Sequence, residues 1–454
     1  MASSSVNVEE TSRRTLSASD VRAQCVRLGF DLVGLTDIRS SGHEAFLREW
    51  LAAGRHGEMS YLSREDAFER RVHMDVAHPE LRSAIVLGIH YANDVGGAAS
   101  SGRHDRDDGS PLARGADGSA AEGDPSRGII ARYAHGRDYH KVIRKKLIAL
   151  LGWLEENADT PLPLARACVD TSPVLERELG QRAGLGWFGR STMLLHPKHG
   201  SYFFLATLLV ELEFDELDAP FDRDHCGTCN ACVDACPTGA LLGRNADGAP
   251  VIDATRCISY LTIENRGEIP RELRPLMGNR VFGCDICQEV CPWNAPKFVQ
   301  IAREPAFAAR APGEQPHGVE RFGSDGWHPG TRSPSLVDLM SMDAAGWEAF
   351  SRGSPLRRAG RAGFLRNVAV ALGNWGSSGA VPVLAAALAD PEPMVRGHAA
   401  WALGGILSSR ASAALAERLD VEDDPWVREE LELALARSAR SGSSGVSRAE
   451  RRVT

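Results

Sequence analysis

Between residues 139 and 156 the apolar positions Ile143, Leu147, Leu150, Leu151 and Leu154 recur every three or four residues among charged ones, and this spacing predicts a long amphipathic helix. The N-terminal half alternates such stretches with short, branched apolar runs. A helix over 19–28 leads through Gly29 into a strand at 30–35, a second helix covers 43–53, and strands are expected at 84–91, 164–169, 193–196 and 202–210. Ser172 and Pro173 read as the N-cap and first-turn proline of a helix just after the 164–169 strand. Asp170 then lies at a strand-to-helix turn, a usual place for a working side chain in an α/β layer. Gly184, Gly186 and Gly189 have the spacing of a dinucleotide fingerprint, but they leave a helix and enter a strand, which is the wrong order for phosphate binding.

The pattern changes three times along the chain. Residues 1–16 are polar and Ser-rich, and 95–127 are a Gly/Ala/Ser/Asp/Arg-rich segment with almost nothing to bury, so they read as a disordered tail and a flexible insertion in a surface loop. After the α/β stretch of 17–214, residues 215–300 are dominated by cysteines, and 301–350 form an irregular connector rich in Pro, Gly and Trp. The last hundred residues repeat themselves: RNVAVALG from Arg366, RGHAAWALG from Arg396 and REELELAL from Arg428 recur every 30 to 32 residues. Helical stretches such as 381–389 lie between them and end in Asp390-Pro391, as in HEAT-type repeats over 351–440, with a disordered tail at 441–454. The expected fold is multidomain α/β: a mixed α/β domain, a ferredoxin-like module and an all-α repeat domain.

Composition narrows the function classes. At 454 residues, net charge −8 and ample apolar content, the chain can build cores for about three domains and does not advertise itself as a nucleic-acid binder, although a global sum can hide a local basic face. Ser12-Arg13-Arg14-Thr15-Leu16 has the look of a twin-arginine export signal, but Asp20, Arg22 and Arg27 interrupt what should be an apolar stretch. The 202–210 run is far shorter than the ~20 residues a membrane helix needs. A cytoplasmic protein without a membrane span is expected, and no heptad argues against a monomer.

Eight of the ten cysteines fall into two runs, Cys226, Cys229, Cys232, Cys236 before Pro237, and, after Cys257, the set Cys284, Cys287, Cys291 before Pro292. The first run has the spacing of bacterial ferredoxins, in which three thiolates hold one 4Fe-4S cluster and the fourth crosses to its neighbour. Read so, Cys226, Cys229, Cys232 and Cys291 bind one cluster and Cys236, Cys257, Cys284 and Cys287 the other. A disulfide framework suits short secreted chains. Structural zinc does not ask for a third cysteine two residues on and a fourth before proline. Cys25 and Cys168, outside the runs, read as small buried hydrophobes. One-electron transfer is the expected chemistry.

The segment 280–294, RVFGCDICQEVCPWN, closely resembles the second cluster motif of epoxyqueuosine reductases, which act on tRNA at the end of queuosine biosynthesis. The resemblance extends in order through HGEM at 56–59, GRDYH at 136–140, VDT at 169–171, GLGW at 184–187, ISYLT at 258–262, and LRN at 365–367 with ALGN at 371–374. It implies cobalamin in the N-terminal domain, with electrons passing singly from the two clusters to cobalt and on to the epoxide at the tRNA wobble position. It implies Asp170 as proton donor, and opening an epoxide does call for acid at oxygen, which a carboxyl supplies if burial raises its pKa. On the residues alone the favoured reading of Asp170 is a helix cap. The family's cobalamin contacts correspond to Arg71, Tyr133, Asp170, Ser259, Asp285 and Ile286, with Arg70 adjoining the first. His140 reads as a core or a pocket residue.

Arg352, Arg357, Arg358, Arg361 and Arg366 come with no acid between 352 and 366 and are candidates for neutralising tRNA phosphates, the alternative being a solvated repeat face. The partners expected are tRNA carrying epoxyqueuosine and an unidentified electron donor. Two other functions compete. A reductive dehalogenase would share cobalamin and two clusters but has no use for the repeats. A plain two-cluster electron carrier leaves the first two hundred residues unexplained.

Overall fold

The computed structural model describes residues 16–93, 124–158, 164–311, 330–406 and 408–449, with side chains as far as 439. All but the last residue of the expected tail at 1–16 and most of the 95–127 insertion lie outside the described residues. The last part of that insertion is held in place: Ser126 accepts a hydrogen bond from the Leu336 amide at 2.9 Å, and Arg127 bridges to Ser335.

The N-terminal domain is built on four strands, β1 (Leu32–Asp37), β2 (Ser83–His90), β3 (Ala165–Cys168) and β4 (Phe203–Val210), in the order β1-β2-β4-β3. Every neighbouring pair is antiparallel, so the expected α/β layer is an antiparallel sheet with helices packed on it. β2 is buried throughout because both faces are covered. On one face the helices Ala18–Arg27 and Tyr139–Asn157 pack through Val21, Ile143, Leu147 and Leu150 onto Leu87, Ile89, Phe204 and Leu208. On the other, Leu179 of helix Glu176–Arg182 and Met74 cover Ala84, Val86 and Leu209. The 139–156 periodicity thus becomes one continuous buried stripe.

Two local expectations are corrected. The helix after β3 begins at Glu176, not at Ser172-Pro173; the intervening residues form a turn in which the Val174 amide donates to Ser172 O at 2.8 Å. The connector 301–350 is irregular only in part. Helices Leu336–Met340 and Ala344–Ser351 supply Leu336, Leu339, Trp347 and Phe350 to the core of the repeats.

The repeat domain consists of helices Gly360–Trp375, Val381–Ala387, Pro393–Gly405, Ser409–Leu419 and Pro425–Ala449, the last running past 440. Its core is continuous with the cluster module through Ile263, Val281 and Phe282. Strand Arg280–Phe282 pairs in parallel with Ile129–Ile130, so the cluster module is tied to the N-terminal domain as well. Among the described residues no helix is long and apolar enough to cross a membrane.

Candidate active site and cluster ligands

The first cysteine run winds around the short helix Ala231–Asp234, and the second around Ile286–Glu289. Cys226, Cys229, Cys232 and Cys291 line one cavity of about 390 Å³, walled by His225, Trp293 and Phe298. Burial pushes the Cys291 thiol up to about 11, reinforced by Cys226, Cys232 and Cys229, so these four groups face one another. The other quartet behaves alike. Cys284 is pushed up to about 12 by burial, with Arg280 pulling the other way and Cys257 adding to the rise, and Cys257 in turn senses Cys236. Cys287 is raised well above its usual range by burial and by Cys284 and Cys257, and it also feels Cys232. Cys226, Cys229, Cys232 and Cys291 thus share one cavity, while Cys257 lies within reach of Cys284 and Cys287 on one side and of Cys236 on the other. Thiols so buried and crowded are poorly suited to remain free, whereas bound iron turns them into thiolates. Among the described residues no three His, Cys, Asp or Glu groups converge as a single ion requires. Cys25 and Cys168 are buried in the N-terminal core, as expected.

Asn294 fixes this module to the sheet domain. Its Oδ1 accepts from the Ser201 amide and its Nδ2 donates to Ser201 Oγ, each at 2.8 Å, while Ser201 Oγ donates to Gln288 Oε1 at 2.8 Å.

Asp170 sits two residues beyond β3 with φ 59°, a left-handed conformation that a non-glycine residue adopts only when its surroundings hold it there. Its amide donates to Glu176 Oε1 at 3.0 Å. Its carboxylate accepts a hydrogen bond from Tyr139 Oη at 2.8 Å, and His140 Nε2 stands 3.4 Å from the same oxygen. That separation permits an ion pair without a well-aligned hydrogen bond, and among the described residues His140 Nε2 has no hydrogen-bond partner. His140 Nδ1 lies 2.8 Å from Asp138, the N-cap of the long helix.

The electrostatics of this group correct the sequence expectation. The Asp170 side chain is 64% exposed; crowding by its neighbours acts to raise the carboxyl, but the His140 and Tyr139 contacts outweigh it and hold the group below its usual value. The proton resides next door. Burial works against a charged His140, yet Asp138 and Asp170 together raise it to about 9. Glu176 is raised to about 8 by burial and by Asp170. At neutral pH the cluster holds an anionic Asp170 between an imidazolium and a neutral carboxylic acid.

Asp170 belongs to a wider basin. Tyr133 is raised by burial and by the carboxylates of Asp170, Asp285 and Glu264. Tyr61 likewise senses Glu264, Arg358, Asp170 and Arg71. Arg71 donates through Nη1 to Tyr61 O at 3.2 Å and Ala67 O at 3.3 Å, with Nε and Nη2 left without partners among the described residues. Asp285 is buried and accepts the Arg132 amide at 2.7 Å; with Ile286 it lies between Cys284 and Cys287, where the basin meets the second quartet. The Ser259 hydroxyl has no partner among the described residues, and Ser259 follows Cys257 by two positions. The spare donors of Arg71 and Ser259 suit a ligand that carries carbonyl oxygens. Tyr139 and Glu176 were not singled out from sequence. Tyr139 lies inside the GRDYH motif that pointed to His140, whereas nothing in the spacing distinguished Glu176.

The five C-terminal arginines divide. Arg366 is fully buried and donates to the carbonyls of Leu261, Asn265 and Gly267 at 2.6 to 3.0 Å, so it cannot reach a phosphate; the sequence expectation fails because these acceptors come from another module. Arg361 is turned inward against Asp390 at 2.7 Å. Arg352 and Arg357 lie near Glu348 at 3.8 and 2.9 Å, and Arg358 pairs with Glu264 at 2.7 Å. These three remain half-exposed, in surface pairs weak enough to exchange partners.

Residues 71–171 match the family described as epoxyqueuosine reductase QueG, DUF1730, residues 225–294 the 4Fe-4S double cluster binding domain, and residues 356–436 HEAT repeats. The chain is 40% identical over 392 residues to the epoxyqueuosine reductase of Pseudomonas aeruginosa, covering 83% of this chain and 91% of that protein. It is 34% identical to that of Escherichia coli, covering 87% and 90%. The crystal structure of an epoxyqueuosine reductase with a tRNA-Tyr epoxyqueuosine-modified stem loop superposes with a TM-score of 0.74 at 27% identity, over 93% of this chain and 98% of the other. The Bacillus subtilis enzyme, with its catalytic Asp loop swung out of the active site, gives a TM-score of 0.72 at 26% identity, over 92% and 98%.

Proposed function

The chain belongs to the epoxyqueuosine reductase family, and from that premise we propose how its own residues carry out the reaction. The protein reduces epoxyqueuosine in tRNA to queuosine, and its cysteine module binds two 4Fe-4S clusters. Removing the epoxide oxygen consumes two electrons and two protons and releases water. The electrons come from an external one-electron donor through the clusters, one held by Cys226, Cys229, Cys232 and Cys291 and the other by Cys236, Cys257, Cys284 and Cys287.

Cobalamin would be held beside the Asp170 carboxylate by Arg71, Tyr133, Asp170, Ser259, Asp285 and Ile286, of which Arg71 and Ser259 have spare donors for amide oxygens. When bound, cobalamin supplies low-potential reduction of a carbon centre. The protein supplies the acid. As charge grows on the epoxide oxygen, Asp170 passes on a proton drawn from His140, the second proton needed to release water enters from solvent, and Tyr139 steadies the carboxylate throughout. The left-handed backbone at Asp170, bonded to Glu176, fixes the direction in which the carboxyl points. Arg352, Arg357 and Arg358 exchange their surface glutamates for tRNA phosphates, and Arg358 does so next to Tyr61 at the basin. We assign the protein to the cytoplasm, where its thiols and clusters stay reduced, and take it to act as a monomer.

The observation that carries this reading is the meeting of Tyr139 and His140 on the Asp170 carboxylate, at 2.8 and 3.4 Å, beyond the end of β3. The test is purification without air, loading with cobalamin and a reductant, and nucleoside analysis of epoxyqueuosine tRNA. Conversion that requires cobalamin is expected, with Asp170→Ala losing about a hundredfold or more in turnover, as for other positioned acids. Asp170→Ala at parental rate would remove it as the acid. Conversion without cobalamin would remove the cofactor from the basin.

A further inference from the structure

The open edge of the sheet carries a second polar cavity, distinct from the basin and from the cysteine cradle. It encloses about 300 Å³ and is lined by Arg70, His78, Arg144, Arg166 and Ser172, with Cys168 and Leu209 behind them. Its cations come from separate elements: Arg70 from helix Glu65–Val72, Arg144 from helix Tyr139–Asn157 and Arg166 from edge strand β3. Among the described residues neither Arg144 nor Arg166 has an ion-pair partner. The nearby carboxylates are few. Asp66 stands 3.7 Å from Arg70 and Glu80 stands 4.0 Å from His78, both at the rim, and Glu176 lies beyond Cys168. The charges do converge: His78 is held below its usual range by burial and then by Arg166 and Arg70, and Arg166 and Arg144 act together on the Cys168 thiol.

Three guanidiniums from separate elements repel one another unless an anion lies among them. Their planar forks match phosphate oxygens, and the Ser172 hydroxyl adds a neutral donor. We propose that this cavity is a phosphodiester site that holds a backbone phosphate of the tRNA beside the Asp170 loop. The proposal rests on tRNA being the substrate. Inorganic phosphate would satisfy the same donors, but position favours the RNA backbone. Ser172 follows Asp170 by two residues, and Arg144 lies one helical turn beyond His140, which stands 3.4 Å from Asp170, so the cavity adjoins the reacting centre, where nucleotides flanking the modified base must lie. A chain of net charge −8 needs local cations to hold a polyanion, and Arg361 and Arg366 are engaged elsewhere.

The test is tRNA binding over a salt series for the cluster-loaded parent, the Arg144→Ala/Arg166→Ala pair and the Arg144→Lys/Arg166→Lys pair, with iron content as the check on folding. The alanine pair should bind about tenfold more weakly near 0.1 M salt and flatten the dependence of log K on log salt by about one, while the lysine pair keeps most of both. Under turnover the alanine pair should raise KM and leave kcat unchanged. Inorganic phosphate at constant ionic strength should compete with tRNA on the parent and not on the alanine pair. An alanine pair with full iron, parental affinity and parental salt slope overturns the site. If phosphate binding is lost in that pair while tRNA affinity is not, the cavity takes free phosphate and the RNA assignment falls. A parent that binds no tRNA at any salt would instead sink the tRNA substrate, and this assignment with it.

Discussion

At the scale of single residues, the reaction depends on where one proton is kept. Crowding alone would raise the Asp170 carboxyl; the structure instead sets the Tyr139 hydroxyl and the His140 ring against it, and the proton resides on His140. The arrangement keeps the carboxyl charged until the substrate oxygen needs it, then supplies the proton from a group at about 9. His140 is raised in the fold, so the stability it contributes is complete below its ordinary value of ~6.5 and disappears as pH rises through about 9. Activity should follow the same limb, falling as pH passes about 9 because the acid form of His140 is lost. His140→Gln should lower turnover by roughly tenfold to a hundredfold and abolish that limb, while iron content and tRNA affinity stay parental. A pH–rate profile with the high-pH limb intact in His140→Gln would transfer the proton reservoir to another group, and Glu176, raised to about 8, is the neighbour equipped for it.

At the scale of elements, what looked like chemistry in the sequence is often joinery. The HGEM motif holds Gly57 at φ 56° against the Tyr260 ring, where an added Cβ would stand 2.4 Å from the hydroxyl, and the Glu58 amide donates to that hydroxyl at 2.8 Å. The LRN motif is similar. Arg366 donates to carbonyls around helix Ile258–Ile263, and Asn367 Nδ2 donates to Thr262 O and Val281 O at 2.8 and 2.9 Å. Arg366→Ala would leave Leu261, Asn265 and Gly267 with unmet carbonyls in a dry interface, at about 1–3 kcal/mol each. The variant should melt several degrees lower and lose iron readily, while the salt slope of tRNA binding at low temperature stays parental. A flattened slope would restore Arg366 as a phosphate contact. These outcomes explain what was legible beforehand. Strands, the long helix and the cysteine quartets announce themselves through period and spacing, which are local. The acceptors of Arg366, the Glu264 beside Arg358 and the partners of Asp170 come from distant segments, so an arginine run without intervening acids could not reveal its neutralisation. The antiparallel order of the sheet escaped for the same reason, because strand pairing is a long-range choice.

At the scale of the whole molecule, the repeat domain is a brace for the second cluster before it is a surface for tRNA. Cys257 precedes helix Ile258–Ile263, and Cys284 follows strand Arg280–Phe282; both elements are held by Asn367, and the Gly283 amide next to Cys284 donates to Thr262 Oγ1 at 2.9 Å. One layer out, Arg274 and Glu430 form a bidentate pair at 3.0 and 2.9 Å, with both side chains about 1% exposed. Arg274 also donates to Ile269 O, and Asn374 donates to the carbonyls of Arg274 and Gly278. A buried pair of this kind adds little net stability when made, yet removing one partner strands the other charge at a cost of about 3–5 kcal/mol. Glu430→Ala should therefore lower the melting temperature sharply and release iron from the second quartet first, because the strain runs through 269–283 toward Cys284. Arg274→Met/Glu430→Leu, which removes both charges and refills the space, should recover most of the melting temperature and the iron. If Glu430→Ala kept its full iron and parental melting point, the repeats would be a passenger on the cluster module. Recovery in the double variant would instead mean that the fold needs the packing of this joint and not its charge, leaving the repeat stack's outer arginines free to serve the tRNA.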